Sequence, residues 1–348
     1  MADRIRWGVL GCGGIARRRT IPEGIVPAPS AELTAVFDTD AQVNEDVAEA
    51  FAARPCAAEA DLLGRNDVDA VYVATPAGAH RAQVLAAATA GKHVLCEKPL
   101  GLTVAEAREM ADACRAAGVT LAVGFMMRFH AAHREAFRLV RSGALGRLVL
   151  GRAQLSCWYP PMAGAWRQDP TAGGGGSLMD MGGHCIDLLE MLFGAVTRVC
   201  CRAASLVHDY ASEDAATALL EFNSGAHGVV DTFFCVPDAA SKNRLEIYGS
   251  AGSLLAEGTI GQGAGGTMVA HLADAGGYDA QQARAPGGET TVAFEPANTY
   301  EAEIEHVSRA LLDGQAPANG AELGLRSAAV LAACYESARS GAAVNVPD

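Results

Sequence analysis

Six residues near the start constrain this chain more than anything else in it. Gly11-Cys12-Gly13-Gly14-Ile15-Ala16 follow directly on the apolar run 5–10 and lead into a helical pattern reaching about Ile25. That is GxGxxA in the strand–turn–helix context the motif requires. Gly11 permits the tight turn, and Gly13 lets backbone amides approach a pyrophosphate. Ala16 keeps the helix close to the sheet, while the helix N-terminus, with Gly14 and Ile15, supplies partial positive charge. A glycine-rich turn in a similar domain without a nucleotide is the other reading.

The residues that follow fit the demands of such a turn. Apolar runs over 33–37, 68–74, 93–96 and 120–123 read as strands, and 41–53, 79–90 and 104–117 as helices. Strands separated by helices of this length give a parallel, doubly wound α/β sheet. The spacing closes this Rossmann domain at 1–128 and leaves 129–348 for a second. Asp38 ends the second strand, 22 positions after Ala16. A carboxylate there accepts hydrogen bonds from the adenosine ribose diol and repels a 2′-phosphate, which favours NAD without excluding NADP. The run Arg17-Arg18-Arg19 lies inside the first helix, the wrong place for a 2′-phosphate site, and reads as a solvated or domain-bridging face.

Composition removes several classes of function. Forty acidic residues against 27 Lys and Arg leave a formal charge of −13, the opposite of a nucleic-acid footprint. No run of 18 apolar residues is present, so no membrane span is expected. The ten Cys are dispersed without a CxxC pair. That spacing supports no zinc site and, with no export signal expected at the start, points to free thiols in a cytoplasmic protein.

The GCGGIA turn, Ala74-Thr75-Pro76, Glu97-Lys98-Pro99, the spacing from His80 to Leu100 and the stretch Gly173 to Gly194 together resemble the Gfo/Idh/MocA oxidoreductases, which include glucose–fructose oxidoreductase and inositol 2-dehydrogenase. The resemblance runs the whole length and implies an NAD(P)-dependent enzyme. It adds Thr75, Pro76, His80, Glu97 and Lys98 to the cofactor residues and makes Lys98 the catalytic lysine. It also implies an α+β second domain on a large, mostly antiparallel open sheet, used as a homodimer or homotetramer contact. Runs over 148–156, 196–207, 217–222, 227–234, 244–248 and 253–256 read independently as its strands. Asn223-Ser224-Gly225 and Gly249 to Gly252 serve as hairpin connections. The C-terminal helix is expected to pack back on the first domain.

Oxidising a secondary alcohol requires removal of the hydroxyl proton as hydride leaves the same carbon, so a base and a cation are needed there. Lys98 precedes a proline, which restricts its backbone to extended geometry. Outside the motif it would read as a surface lysine paired with Glu97. Asp180, His184 and Asp187 fall at i, i+4 and i+7, on one helical face. His184 suits a general base. Asp180 orients imidazole or substrate, or it completes a Ser177-x-x-Asp180 cap. Asp187 reads as helix support or a secondary substrate contact.

The long segment from Cys157 to Ala172 carries Trp158, Tyr159, Trp166 and Arg167, and reads as a lid or as a hydrophobic clamp on the sheet. Aromatic faces there suit the C–H faces of a sugar. By resemblance, Trp166 and Arg167 lie near the nicotinamide or cross a subunit boundary. Arg128 contacts substrate or cofactor, or forms an inter-domain salt bridge. Tyr300 reaches the substrate or is ordinary packing. His130 and His133 lack a third ligand and read as a solvated helix face.

The expectation is therefore an NAD-dependent oxidoreductase acting on a hydroxyl or keto group of a sugar, sugar derivative or cyclitol. Lys98 and His184 would do acid–base work, with Asp180 orienting and no metal. Two alternatives stay open. One is a redox-neutral NAD-dependent glycosidase of the same fold, and the other a non-enzymatic NAD(P)-sensing regulator.

Overall fold

The computed structural model describes residues 4–273, 280 and 288–347. They form two compact units, one of Met1–Met126, Pro170–Gly174 and Asn298–Ala328, the other of Met127–Asp169, Gly175–Ala297 and Ala329–Asp348.

In the first unit six strands, β1 (Ile5–Leu10), β2 (Ala31–Phe37), β3 (Arg54–Pro55), β4 (Ala70–Val73), β5 (His93–Cys96) and β6 (Leu121–Val123), form one sheet in the order β3-β2-β1-β4-β5-β6. Every pairing is parallel. Side chains alternate across it. Val71, Val73, Val94, Cys96 and Val123 enter one buried cluster, and Trp7, Val9, Val36, Tyr72 and Leu95 another. Both faces are covered, which is why these strands read as continuous apolar runs.

The strand order reverses between β1 and β4, and ligands of such sheets bind beyond the carboxyl ends of the strands at this reversal. The helix Ala16–Ile25 is wound as a π-helix and packs against Thr299–Leu312. Gly24 allows the approach, since a Cβ there would press on the Tyr300 carbonyl at 3.2 Å. Asp40 caps the helix Ala41–Ala50 by accepting from the Gln42 and Val43 amides. That helix stops short of the expected 53 because Ala52 takes a positive φ of 54°. Arg17 pairs with Asp46, and Arg18 donates to the Gly14 carbonyl.

The second unit carries nine strands, β7 (Leu148–Ser156), β8 (Val196–Ala204), β9 (Ala215–Phe222), β10 (His227–Phe233), β11 (Arg244–Gly249), β12 (Gly252–Glu257), β13 (Thr267–Leu272), β14 (Gly288–Thr291) and β15 (Val344–Asn345). Their order is β14-β13-β12-β11-β7-β10-β9-β8-β15. The sheet is antiparallel except at β7 and β10, which run parallel. The α/β-plus-open-sheet class expected from sequence is the one observed. The helix Gly183–Phe193 lies on this sheet at Gly151, where a Cβ would come within 2.5 Å of the Phe193 ring.

Two expectations need correction here. Strand β8 ends at Ala204 rather than 207, because the amides of Leu206, Val207 and His208 turn onto the buried Asp214 carboxylate. His130 and His133 are buried, not a solvated face. His130 accepts from the Ala132 amide and its other nitrogen meets the Gly265 carbonyl, while His133 bridges the Met127 carbonyl and the Thr259 hydroxyl. Among the described residues no helix is long and apolar enough to cross a membrane.

Candidate functional site

The nucleotide-binding features lie at the carboxyl edge of the parallel sheet. Gly11 takes φ +80°, and a Cβ on it would meet Thr75 Cγ2 at 2.6 Å, so the turn after β1 nests against the residue beyond β4. The Gly11 and Cys12 amides donate to the Phe37 carbonyl, binding the turn to β2. Asp38 Oδ2 accepts from the Gly13 amide at 2.9 Å, and Oδ1 accepts from the Asp40 amide at 3.1 Å. A carboxylate has about four lone-pair sites, so capacity for two ribose hydroxyls remains. Gly14, at φ +45°, has open space where a Cβ would stand. A glycine turn at a helix start, flanked by a carboxylate, fits a dinucleotide pyrophosphate and ribose.

The next two loops are braced rather than open. Thr75 donates its hydroxyl to Gln83. His80, buried in the helix Ala77–Thr89, points one ring nitrogen at the Thr75 carbonyl and the other at that of Pro99, both at 2.9 Å. Burial pulls its pKa down while the two carbonyls pull it back. The ring thus ties the segment beginning at Pro76 to the loop after β5.

Glu97 and Lys98 leave β5 directly, with a cis peptide between Lys98 and Pro99. Glu97 folds back to accept from the Lys98 amide at 3.2 Å and takes a 2.6 Å hydrogen bond from the buried Tyr72 phenol. Thr20 completes the chain 3.0 Å from the Tyr72 oxygen. Tyr300 is buried too, with the Arg19 guanidinium 5.3 Å above its ring. Burial, with the Glu97 charge behind it, raises the pKa of that phenol. Tyr300 therefore belongs to the packing around Glu97.

In the second unit the segment carrying the other candidates begins as a π-turn, Leu178–Gly182, and continues as the helix Gly183–Phe193. Asp180 Oδ1 lies 2.9 Å from Arg167 Nε. The Arg167 guanidinium sits 4.2 Å from the centroid of the Trp166 ring. Burial works against its charge, but Asp180 and the Tyr159 phenol outweigh that and hold its pKa above the ordinary value. So Tyr159, Trp166, Arg167 and Asp180 form one cluster. His184 is buried one turn further on.

The capping role weighed for Asp180 is absent. Ser177 makes no side-chain cap, its hydroxyl donating instead to the Thr232 carbonyl. Arg128 donates to both oxygens of Asp187 at 2.7 and 2.8 Å, within this unit, so it is not the inter-domain bridge weighed above. Burial pushes Asp187 up to about 6 although Arg128 pulls it down.

Sequence reasoning missed the residues that hold these groups. Glu213 accepts the amides of Gly176 and Leu178 and the phenol of Tyr335. Thr20 and Tyr72 stand behind Glu97. Nothing local marks them, since each acts on a partner tens of residues away. Among the described residues no group of three or more His, Cys, Asp or Glu is arranged to hold a metal ion.

Comparison with known proteins agrees with this picture. Residues 5–125 match the model of the oxidoreductase family with an NAD-binding Rossmann fold, and residues 133–255 that of the GFO/IDH/MocA C-terminal domain. The chain is 31% identical to a 1,5-anhydro-D-fructose reductase of Ensifer adhaerens, over 98% of both chains. It is 32% identical to a D-xylose 1-dehydrogenase (NADP(+)) of Haloferax volcanii, over 98% of this chain and 99% of the relative. A crystal structure of an aldose-aldose oxidoreductase from Caulobacter crescentus, complexed with glycerol, superposes with a TM-score of 0.88 at 29% identity, covering 98% of this chain and 99% of that one. The turn at Gly11, the Asp38 carboxylate and these matches define an NAD(P)-dependent oxidoreductase. The chain belongs to the Gfo/Idh/MocA family.

Proposed function

We propose that this oxidoreductase prefers NAD and acts on a secondary hydroxyl or keto group of a sugar, sugar derivative or cyclitol. Lys98 and His184 are its acid–base pair and Asp180 its orienting residue. One observation carries the reading: Lys98 stands immediately past β5, at the same carboxyl edge of the sheet as the glycine turn after β1 and Asp38 after β2. The two curated relatives, named for a sugar reductase and a sugar dehydrogenase, support the substrate class.

When bound, the dinucleotide supplies the hydride donor or acceptor. The chain does the rest. Asp38 favours a free ribose diol over a 2′-phosphate, because an added dianion beside a carboxylate is repelled. The Lys98 ammonium stabilises negative charge developing on the substrate oxygen, and the His184 imidazole takes or returns the proton. Arg167 holds the Asp180 carboxylate so that it accepts from a substrate hydroxyl in one orientation.

The outward face of the nine-stranded sheet leaves Leu219 56% exposed beside the Arg152–Asp231 ion pair. Such a mixed surface supports a homodimer or homotetramer contact. A cytoplasmic location belongs to the same proposal, with all ten cysteines as free thiols. The test is absorbance at 340 nm with NAD and NADP against a panel of aldoses, ketoses, anhydrosugars and cyclitols, with glycosides assayed alongside for released aglycone. Turnover of one of these, faster with NAD, is expected. No turnover anywhere in the panel, or glycoside cleavage without net NADH release, overturns the proposal.

A further inference from the structure

The start of the Leu178–Gly182 segment lacks a local cap, yet its amides are satisfied. The first four N–H groups of any helix have no partner within it. Here the amides of Gly176 and Leu178 donate to the Glu213 carboxylate, all contacts at 2.9 Å, and Ser177 donates to the Glu213 backbone carbonyl at 3.1 Å. The Met179 amide faces the phenol oxygen of Tyr335, whose hydroxyl donates to Glu213 Oε1 at 2.9 Å. The first amide bonded within the segment is that of Asp180, to the Gly176 carbonyl. Four successive amides thus end on two residues, and Asp180 is the next in line.

The glycines there have a matching explanation. A Cβ on Gly175 would collide with the Tyr335 hydroxyl, and one on Gly176 with the Glu213 carbonyl. Only glycine lets the chain come this close. Glu213 also places a negative charge at the positive end of the segment, a favourable charge–dipole contact.

We propose that Glu213, backed by Tyr335, is the positioning residue of the helix bearing Asp180 and His184. It sets the register in which those two side chains are presented. This rests on the reading of Asp180 and His184 as catalytic. Angular errors at a helix start propagate along it, and displacements of about 1 Å at reacting groups cost on the order of a hundred-fold in rate.

The neighbouring Asp214 provides the control. It is the more deeply buried of the two and is likewise committed to backbone amides, but those belong to Leu206, Val207 and His208. Glu213→Gln, Glu213→Ala, Asp214→Asn and His184→Ala are compared in the full-length protein. Without substrate, hydrogen–deuterium exchange over 178–187 is expected to rise about ten-fold in Glu213→Ala, less in Glu213→Gln, and to stay at the wild-type level in Asp214→Asn. With the best sugar from the panel, kcat is expected to fall about ten-fold or more in Glu213→Ala at unchanged KM for NAD, and Glu213→Gln to recover part of it.

Should Glu213→Ala not fold, Glu213→Gln alone decides against Asp214→Asn. Equal exchange and equal kcat in the Glu213 and Asp214 variants, with His184→Ala inactive, overturns the positioning role. Wild-type kcat in His184→Ala overturns the catalytic reading instead.

Discussion

The buried His133 makes a quantitative prediction about acid stability. It is fully enclosed, 4.9 Å from the His130 ring, and it faces the Met127 carbonyl and the Thr259 hydroxyl. Burial drives its pKa down to about 3, with the Met127 carbonyl opposing and His130 adding to the fall. An unfolded histidine titrates near 6.5, so below that pH the unfolded chain binds a proton the folded one refuses. Stability is then lost as pH falls, at up to about 1.4 kcal/mol per pH unit between 6.5 and 3. From pH 7.0 to 5.5 this amounts to about 1.3 kcal/mol for His133 alone.

The perturbation is His133→Gln, which keeps a polar side chain in the slot and removes the titration. Urea unfolding is followed by the fluorescence of the three tryptophans, of which Trp158 and Trp166 lie in the same unit as His133 and Trp7 in the other. Wild type is expected to lose about 1.3 kcal/mol more than the variant between the two pH values, at equal slope in urea. Parallel loss in the two proteins would refute the assignment of a neutral, buried imidazole.

Three further outcomes are expected. Lys98→Ala should lower turnover by about 10² to 10⁴ while leaving NAD binding intact, read by calorimetry, and undiminished turnover would remove Lys98 from the chemistry. Asp38→Asn retains an oxygen for the Gly13 amide but loses the charge, so the ratio of NAD to NADP affinity should shift toward NADP by about ten-fold. Arg128→Met leaves Asp187 buried without its cation, at a cost of about 3–5 kcal/mol, measured by urea unfolding at pH 7. Without the guanidinium Asp187 takes up its proton above the value of about 6 it has in the wild type, so that deficit should shrink as pH falls toward 6 and change little below it.

The residues whose role is local were legible in the one-dimensional pattern. A glycine turn between a strand and a helix is a matter of backbone sterics over six residues, so Gly11, Gly13 and Gly14 announce themselves, and Asp38 follows from the length of a βαβ unit. Alternating apolar runs gave the strands for the same reason: period and burial are properties of neighbours in sequence. Even the misjudged end of β8 lay within three residues.

Tertiary structure alone decided which polar groups meet. The Ser177-x-x-Asp180 spacing looks like a cap, but the amides go to Glu213, some 37 positions from Gly176, and Asp180 is left to Arg167. His130 and His133 carry no mark of burial, because what encloses them is Thr259 and Gly265 from a distant loop. Arg128 could face solvent, substrate or another domain until Asp187 is brought to within 2.7 Å. Backbone preferences are short-ranged and survive in any sequence window. Hydrogen bonds and ion pairs between distant residues depend on where the whole chain has packed, and no spacing rule encodes that.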